Sequence, residues 1–408
     1  MKIIISNFED SIFNFQRLNS TKLCLVAKLN SKKEVIALCV SDLYREECYI
    51  VNFSTTSLHS YINKLVTNLN SLKKIFVLDS KYFYKSMSKK EILNISSTNI
   101  VYDVSLIASL ENIAISKNHV LNSSTSENTK KIRFLFDRIS GSRLPWEIVP
   151  EFMLNKFIYE ELLFIKKLCK INIYNNLYTN VVNKFLATLA IIEKNGLIID
   201  RNLLHNTKIN KVFEFIENKN SYNSNSKTTI IENNSTKAYI EYNLFSTHTN
   251  RIISSFNTLS RLDRKFINSG FYLGSIVEID INAFEIKALL DYLSIENKSK
   301  DLYEDISIKL NRKYSREEVK SNLIKWIYGS SSYIEEIVSA IDNSYLIEQR
   351  IKKIRNSIDK NYITSRIGSK IFYSSIEETK KKFINGIIQN YSSFIMMFIV
   401  TKLEKALN

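Results

Sequence analysis

The chain has 408 residues, with 57 Lys and Arg against 41 Asp and Glu and a net charge of +16, giving a pI near 9.4. With 45% hydrophobic and 12% aromatic residues it can bury large cores and divide into more than one domain, which excludes a disordered basic tail. The charge suits a partner with a phosphate backbone but does not specify one.

From the amino terminus, Met1-Lys-Ile-Ile-Ile reads as a short strand. Apolar, β-branched runs over 22–29, 35–40, 48–53 and 74–79 predict strands separated by charged turns, and 58–72 has helical periodicity. The cysteines at 24, 39, 48 and 169 show no paired metal spacing. They read as reduced core residues in a cytosolic-type compartment, not as a zinc site. The polar stretch 118–129 predicts a linker, with Pro145 and Pro150 marking where helices resume, and 151–194 is strongly helical. Residues 221–237, rich in Asn, Ser and Thr, predict a flexible loop.

In the second half, Ser275-Ile-Val-Glu-Ile-Asp280-Ile-Asn282 alternates strictly, placing Val277, Ile279 and Ile281 on one strand face and Glu278 and Asp280 on the other. Asn282 is placed to cap a following helix, with Glu285 three residues on completing a capping-box-like pair. Further along, Arg316, Lys320, Ile324 and Tyr328 recur every four residues before Gly329. Each step advances about 400° and rises about 6 Å, so the four form one helical stripe. Val319, Leu323, Trp326 and Ile327 fall on the neighbouring face, which would dock the helix on a core. Such a helix can hold a polyphosphate with its cationic end and shape a base-pair pocket with its aromatic end. Taken singly, Arg and Lys at this spacing also fit a solvated face, and Asp280 fits a solvated strand carboxylate. The apolar run 394–400 is too short to span a membrane and continues an amphipathic helix.

The stripe resembles the fingers helix of family A (polymerase I-like) DNA polymerases, R-x3-K-x3-F-x3-Y-G. Other segments follow in the family's order. Asp280-Ile-Asn-Ala-Phe-Glu285 is similar to the palm motif D-Y-S-Q-I-E, and Thr247-His-Thr-Asn-Arg251-Ile-Ile-Ser-Ser-Phe-Asn257 to T-x-T-G-R-L-S-S-x-x-P-N, without its glycine and proline. Asp301-Leu-Tyr303 stands where the family has D-I-H. Tyr362-Ile-Thr-Ser-Arg366-Ile-Gly-Ser-Lys370 resembles Y-V-x-T-x-x-G-R-R, and Asn385-Gly-Ile-Ile-Gln389 resembles N-x-P-I-Q-G.

The resemblance implies an α/β multidomain chain: a ribonuclease H-like domain, then a right-hand polymerase with reduced helical thumb, incomplete palm and helical fingers. The corresponding boundaries are 1–117, a linker at 118–150, connector helices and thumb over 151–250, and palm plus fingers over 251–408. It implies that Asp280 is catalytic and holds two Mg2+ ions, and that Arg316 and Lys320 neutralise the triphosphate of the incoming deoxynucleotide. Tyr303 replaces a triphosphate-contacting histidine, Ile324 replaces an aromatic ring near the sugar, Tyr328 packs under the templating pair, and Glu285 lies beside the nucleotide. Arg251, Asn257, Arg366, Lys370, Asn385 and Gln389 are implied to contact primer-template DNA.

Two departures are legible. The strand that should offer D-x-E to an exonuclease has Val26 and Lys28, and the next motifs offer Asp79 with Phe83 and Tyr159 with Leu163. Clustered carboxylates for two metal ions are missing, so the first domain reads as a degenerate exonuclease. The chain also stops at Leu403-Glu-Lys-Ala-Leu-Asn408, ahead of the H-D-E hairpin that supplies the family's second palm carboxylate. A split or truncated polymerase completed by a second polypeptide is the favoured reading. A catalytically inactive primer-template-binding subunit and an unrelated basic helical protein are the alternatives. The location implied is cytoplasmic, bacterial or the host's if viral, with no membrane partner.

Overall fold

A computed structural model describes residues 2–5, 22–29, 35–52, 74–85, 87–98, 100–104, 106–107, 149–169, 178–200, 228–231, 235–238, 242–244, 251–254, 267–268, 281–365 and 368–407. The chain divides into two compact units, Met1–Asn195 with Val400–Asn408, and Gly196–Ile399. Within the first unit, the helices following residue 150 cover the first sheet.

That sheet has six strands: β1 (Lys2–Ile5), β2 (Lys22–Leu29), β3 (Val35–Asp42), β4 (Glu47–Asn52), β5 (Lys74–Val77) and β6 (Ile100–Asp103), in the order β1-β4-β3-β2-β5-β6. β2, β3 and β4 are antiparallel neighbours. β5 runs parallel to β2, β6 parallel to β5, and β1 parallel to β4. Leu23–Val26, Ala37–Val40 and Ile75–Val77 are buried on both faces, which explains why they read as continuous apolar runs.

Helices α1 (Ser80–Lys85) and α2 (Lys89–Thr98) precede β6. α3 (Glu151–Cys169) packs on β2, β3 and β5, and α4 (Asn183–Asn195), entered through a π-helical turn at Tyr178–Val182, packs on α1, α2 and β6. Asp103 is buried. Its Oδ2 accepts from Ser80 N at 2.8 Å and its Oδ1 from Leu106 N at 3.0 Å. Lys28 is also buried and pairs with Glu161 of α3. Glu193 of α4 takes both Lys81 and Lys85 of α1 at 2.8 Å. All four cysteines are free thiols, three of them buried in the sheet.

The second unit begins at Gly196, whose φ of 64° suits the left-handed turn out of α4. β7 (Leu197–Asp200), β8 (Thr228–Ile231), β9 (Ser235–Ala238) and β12 (Ile267–Asn268) form an antiparallel sheet in the order β12-β7-β9-β8, and β10 (Tyr242–Asn243) pairs with β11 (Ile253–Ser254). Six helices follow: α5 (Phe284–Tyr292), α6 (Leu302–Lys309), α7 (Arg316–Ile327), α8 (Glu335–Ser339), α9 (Ser344–Ser357) and α10 (Ile376–Leu407). The hairpin β13 (Tyr362–Thr364) and β14 (Lys370–Phe372) lies between the last two. Their core is built from Ile286, Leu289, Val319, Leu323, Ile327, Ile337, Ile347 and Ile388.

The run 394–400 belongs to a 32-residue helix that is long and apolar enough to cross a membrane by length and composition, so its span is greater than the run alone suggested. Phe383, Ile387, Ile388, Phe394 and Met397 are buried against protein, and the fully buried Asn390 sits among them. These contacts make it a core helix of this fold. The predicted strand 275–282 lies outside the described residues except for its last two, as do helix 58–72 and linker 118–129.

Candidate nucleotide and nucleic-acid site

The four-residue stripe is on α7. Ser315 and Glu318 close a capping box at its start: the Ser315 hydroxyl accepts from Glu318 N at 3.2 Å, and Ser315 N donates to the Glu318 carboxylate at 2.8 Å. Val319, Leu323 and Ile327 are buried and Trp326 is partly buried, as the spacing required. That leaves Arg316, Lys320, Ile324 and Tyr328 along one outer line. The helix ends at Tyr328, and Gly329 takes a φ of 75°. Buried Asn322 ties the following loop back: its Nδ2 donates to Glu318 O at 2.8 Å and its Oδ1 accepts from Ile334 N at 2.9 Å.

At the cationic end, Arg316 Nε donates to Asp301 Oδ2 at 2.9 Å and Nη2 donates to Asn282 Oδ1 at 3.2 Å. Asp301 also caps α6, accepting from Tyr303 N and Glu304 N. Burial would raise its carboxyl pKa, but hydrogen bonds from Asn282, Arg316 and Glu304 N outweigh that and hold it below the usual range. The expected capping role of Asn282 is not what the structure has. α5 starts after Ala283, in the left-handed region at φ 52° with no side-chain cap, because Asn282 is turned to Arg316.

Tyr303 is 3% exposed, packed in the core with its ring 5.7 Å below the Arg316 guanidinium. The ring supports Arg316 from beneath. Burial first, and then the Glu285 charge, push its hydroxyl up to about 12. Lys320 is exposed, with no ion pair among the described residues. Ile324 is half-buried.

At the aromatic end, the Tyr328 hydroxyl donates to Glu285 Oε1 at 2.6 Å. Burial and that bond raise the Tyr328 pKa to about 12, against the opposing effects of Arg251 and a hydrogen bond with Gln389. The structure thus gathers Glu285, Tyr328, Gln389 and Arg251, residues that lie up to 138 positions apart (389 − 251). Asn385 is on the same helix as Gln389, with Oδ1 buried and lacking a hydrogen-bond partner among the described residues. Lys370 is on β14 opposite Thr364. Asp280, Asn257 and Arg366 lie outside the described residues.

Sequence reasoning missed the tie between Asp301 and Arg316. Its signal was an aspartate directly before a helical run, fifteen residues ahead of the arginine. Among the described residues no three His, Cys, Asp or Glu side chains stand together so as to hold a metal ion, Glu285 being engaged by Tyr328.

No family model and no curated protein matches the chain. A solved structure does: the POL domain of Pol1 from M. smegmatis, in complex with DNA primer-template and dNTP, with a TM-score of 0.62 at 12% identity over 100% of this chain and 89% of that one. The chain has the fold of a DNA polymerase domain.

Proposed function

We propose that the chain is a template-directed DNA polymerase, transferring deoxynucleotides to a primer 3′ end, of the family A type. The observation that carries this is the α7 line, cationic at Arg316 and Lys320 and ending in a Tyr328 fixed by Glu285 and Gln389, on a chain of polymerase-domain fold. Its substrates on this reading are primer-template DNA and deoxynucleoside triphosphates. Arg316 and Lys320 offset charge developing on the leaving pyrophosphate. Tyr328, its hydroxyl tied down, presents a ring of fixed orientation to the nascent pair.

Mg2+ at Asp280 belongs to the proposal and would supply charge stabilisation for phosphoryl transfer. The proposal includes a second palm carboxylate, of the kind the family's H-D-E hairpin carries, supplied by a second polypeptide. The first unit is read as ribonuclease H-like, which its strand order and directions support: an antiparallel β2-β3-β4 followed by parallel β5 and β6. It is read as inactive because Lys28, paired with Glu161, stands where an acidic ligand is needed. A catalytically inactive primer-template-binding subunit is the second reading, which the net charge of +16 serves without any chemistry.

Primer extension by the purified chain, with and without an added H-D-E palm segment, separates these readings. Extension that requires the segment and is abolished by Asp280→Asn supports the polymerase. DNA binding without extension under either condition supports the inactive subunit, and failure to bind DNA at low salt defeats both.

A further inference from the structure

Residues 351–370 hold six basic side chains and one acidic one. Several exposed cations of this unit are answered by acids: Lys309 by Asp342 at 2.8 Å, Lys313 by Glu336 at 2.6 Å, Lys382 by Glu378 at 2.6 Å. Lys352, Lys353 and Lys360 are exposed and have no such partner among the described residues. Arg355 lies over the Phe383 ring at 5.7 Å, joining the end of α9 to α10. A local excess of cations that the protein does not neutralise itself is matched to an anionic polymer.

The hairpin beside them is built the same way. Ile363 and Ile371 pair across β13 and β14 and point into a small core with Ile358, Phe383 and Ile387. Alternation along each strand therefore turns Tyr362 and Phe372 to the opposite face, with Thr364 and Lys370 beyond them. Both aromatic residues are partly exposed. Their ring centroids are 5.2 Å apart at 44°, and Lys360 Nζ lies 5.5 Å from the Tyr362 centroid. Aromatic rings with flanking cations make a stacking platform for unpaired bases, whereas a duplex keeps its bases stacked on each other.

We infer that this face, formed by the hairpin and the end of α9, binds single-stranded polynucleotide, with bases against Tyr362 and Phe372 and phosphates against Lys352, Lys353 and Lys360. The inference stands on these residues alone. Joined to the polymerase reading, the strand is template not yet paired, and the surface is separate from the line on α7.

The test is fluorescence anisotropy with the full chain, a labelled oligothymidylate and a blunt duplex, over a range of salt concentrations. Tyr362→Leu/Phe372→Leu should weaken oligothymidylate binding about tenfold and leave the blunt duplex unchanged. Lys352→Gln/Lys353→Gln/Lys360→Gln should flatten the salt dependence of single-strand binding. Unchanged single-strand affinity in both variants, or equal losses for single strand and duplex, would overturn the inference. If circular dichroism shows that the aromatic variant is unfolded, the lysine variant, altered only at exposed positions, decides. Primer extension by the parent chain with the H-D-E palm segment supplied is read in parallel: its absence while oligothymidylate binding and both variant effects persist would defeat the polymerase reading and leave this one intact.

Discussion

Gly386 of α10 meets Tyr373 so closely that a β-carbon added at the glycine would fall 1.9 Å from the tyrosine hydroxyl oxygen and 3.2 Å from Cζ. The hairpin is seated on the long helix by this contact, and the Tyr373 hydroxyl donates to Lys382 O at 3.3 Å on the same helix. Gly386→Ala should destabilise the protein by about 1–3 kcal/mol, the usual cost of forcing extra volume into a packed site. Tyr373→Phe in the same chain removes the atom in closest contact and should recover part of the loss. Equal melting temperatures for the parent and Gly386→Ala would show that the hairpin does not rest there.

Arg316→Ala should raise the KM for deoxynucleotide about tenfold or more, since hydrogen bonds to charged groups contribute roughly 1.5–3 kcal/mol. Asp301→Asn keeps an acceptor for the α6 cap while removing the charge that holds Arg316, so it should spare stability more than Asp301→Ala does. Steady-state kinetics of the reconstituted enzyme, beside thermal melts, would check both halves. Lys320→Ala should lower kcat as well as nucleotide affinity, because Lys320 is exposed and has no ion pair to lose among the described residues.

The Tyr328 hydroxyl gives a pH signature. An unfolded tyrosine ionises near pH 10, whereas Tyr328 in the fold ionises near 12. As pH rises, the unfolded state therefore loses its proton first. The stability contributed by the buried hydroxyl is complete below about pH 10 and is lost on approach to 12. The stability gap between the parent chain and Tyr328→Phe should shrink across that interval, measured by urea titration at each pH. A gap that stays constant would mean that the hydroxyl is not held by Glu285 in solution.

In the first unit, Lys28→Ala should cost about 3–5 kcal/mol by leaving Glu161 buried without a partner, and Lys28→Met with Glu161→Leu should cost much less. A 3′-end-labelled single strand should stay intact with the purified chain in magnesium or manganese. Shortening that survives repurification, and is unaffected by Lys28→Ala, would contradict the reading of an inactive domain.

The α7 line was legible because four-residue spacing and a buried companion face are properties of the helix alone. The strands β2 to β5 were legible because their central runs, such as Leu23–Val26, Ala37–Val40 and Ile75–Val77, are buried on both faces and apolar. What lay beyond reach depended on partners distant in the chain. Asn282 looked like a cap until Arg316, 34 residues on, claimed its oxygen. Nor did any local pattern show that Arg316 would lie over the Tyr303 ring. The Tyr362 and Phe372 pair was hidden for a similar reason: each three-residue strand is too short to display a period, and the pairing appears only when Gly368, at φ 84°, brings the strands face to face.

Asn322 fixes the direction in which the loop after Tyr328 can be read by its own helix. Its amide gives a hydrogen to the Glu318 carbonyl and takes one from Ile334 N, two tasks of opposite polarity performed by one planar group. Aspartate, nearly identical in shape, would set an acceptor against an acceptor, and leucine would abandon both partners inside the protein. The tolerance of this position is therefore set by polarity and not by volume, and the geometry of a tyrosine six residues away rests on an amide that never meets a ligand.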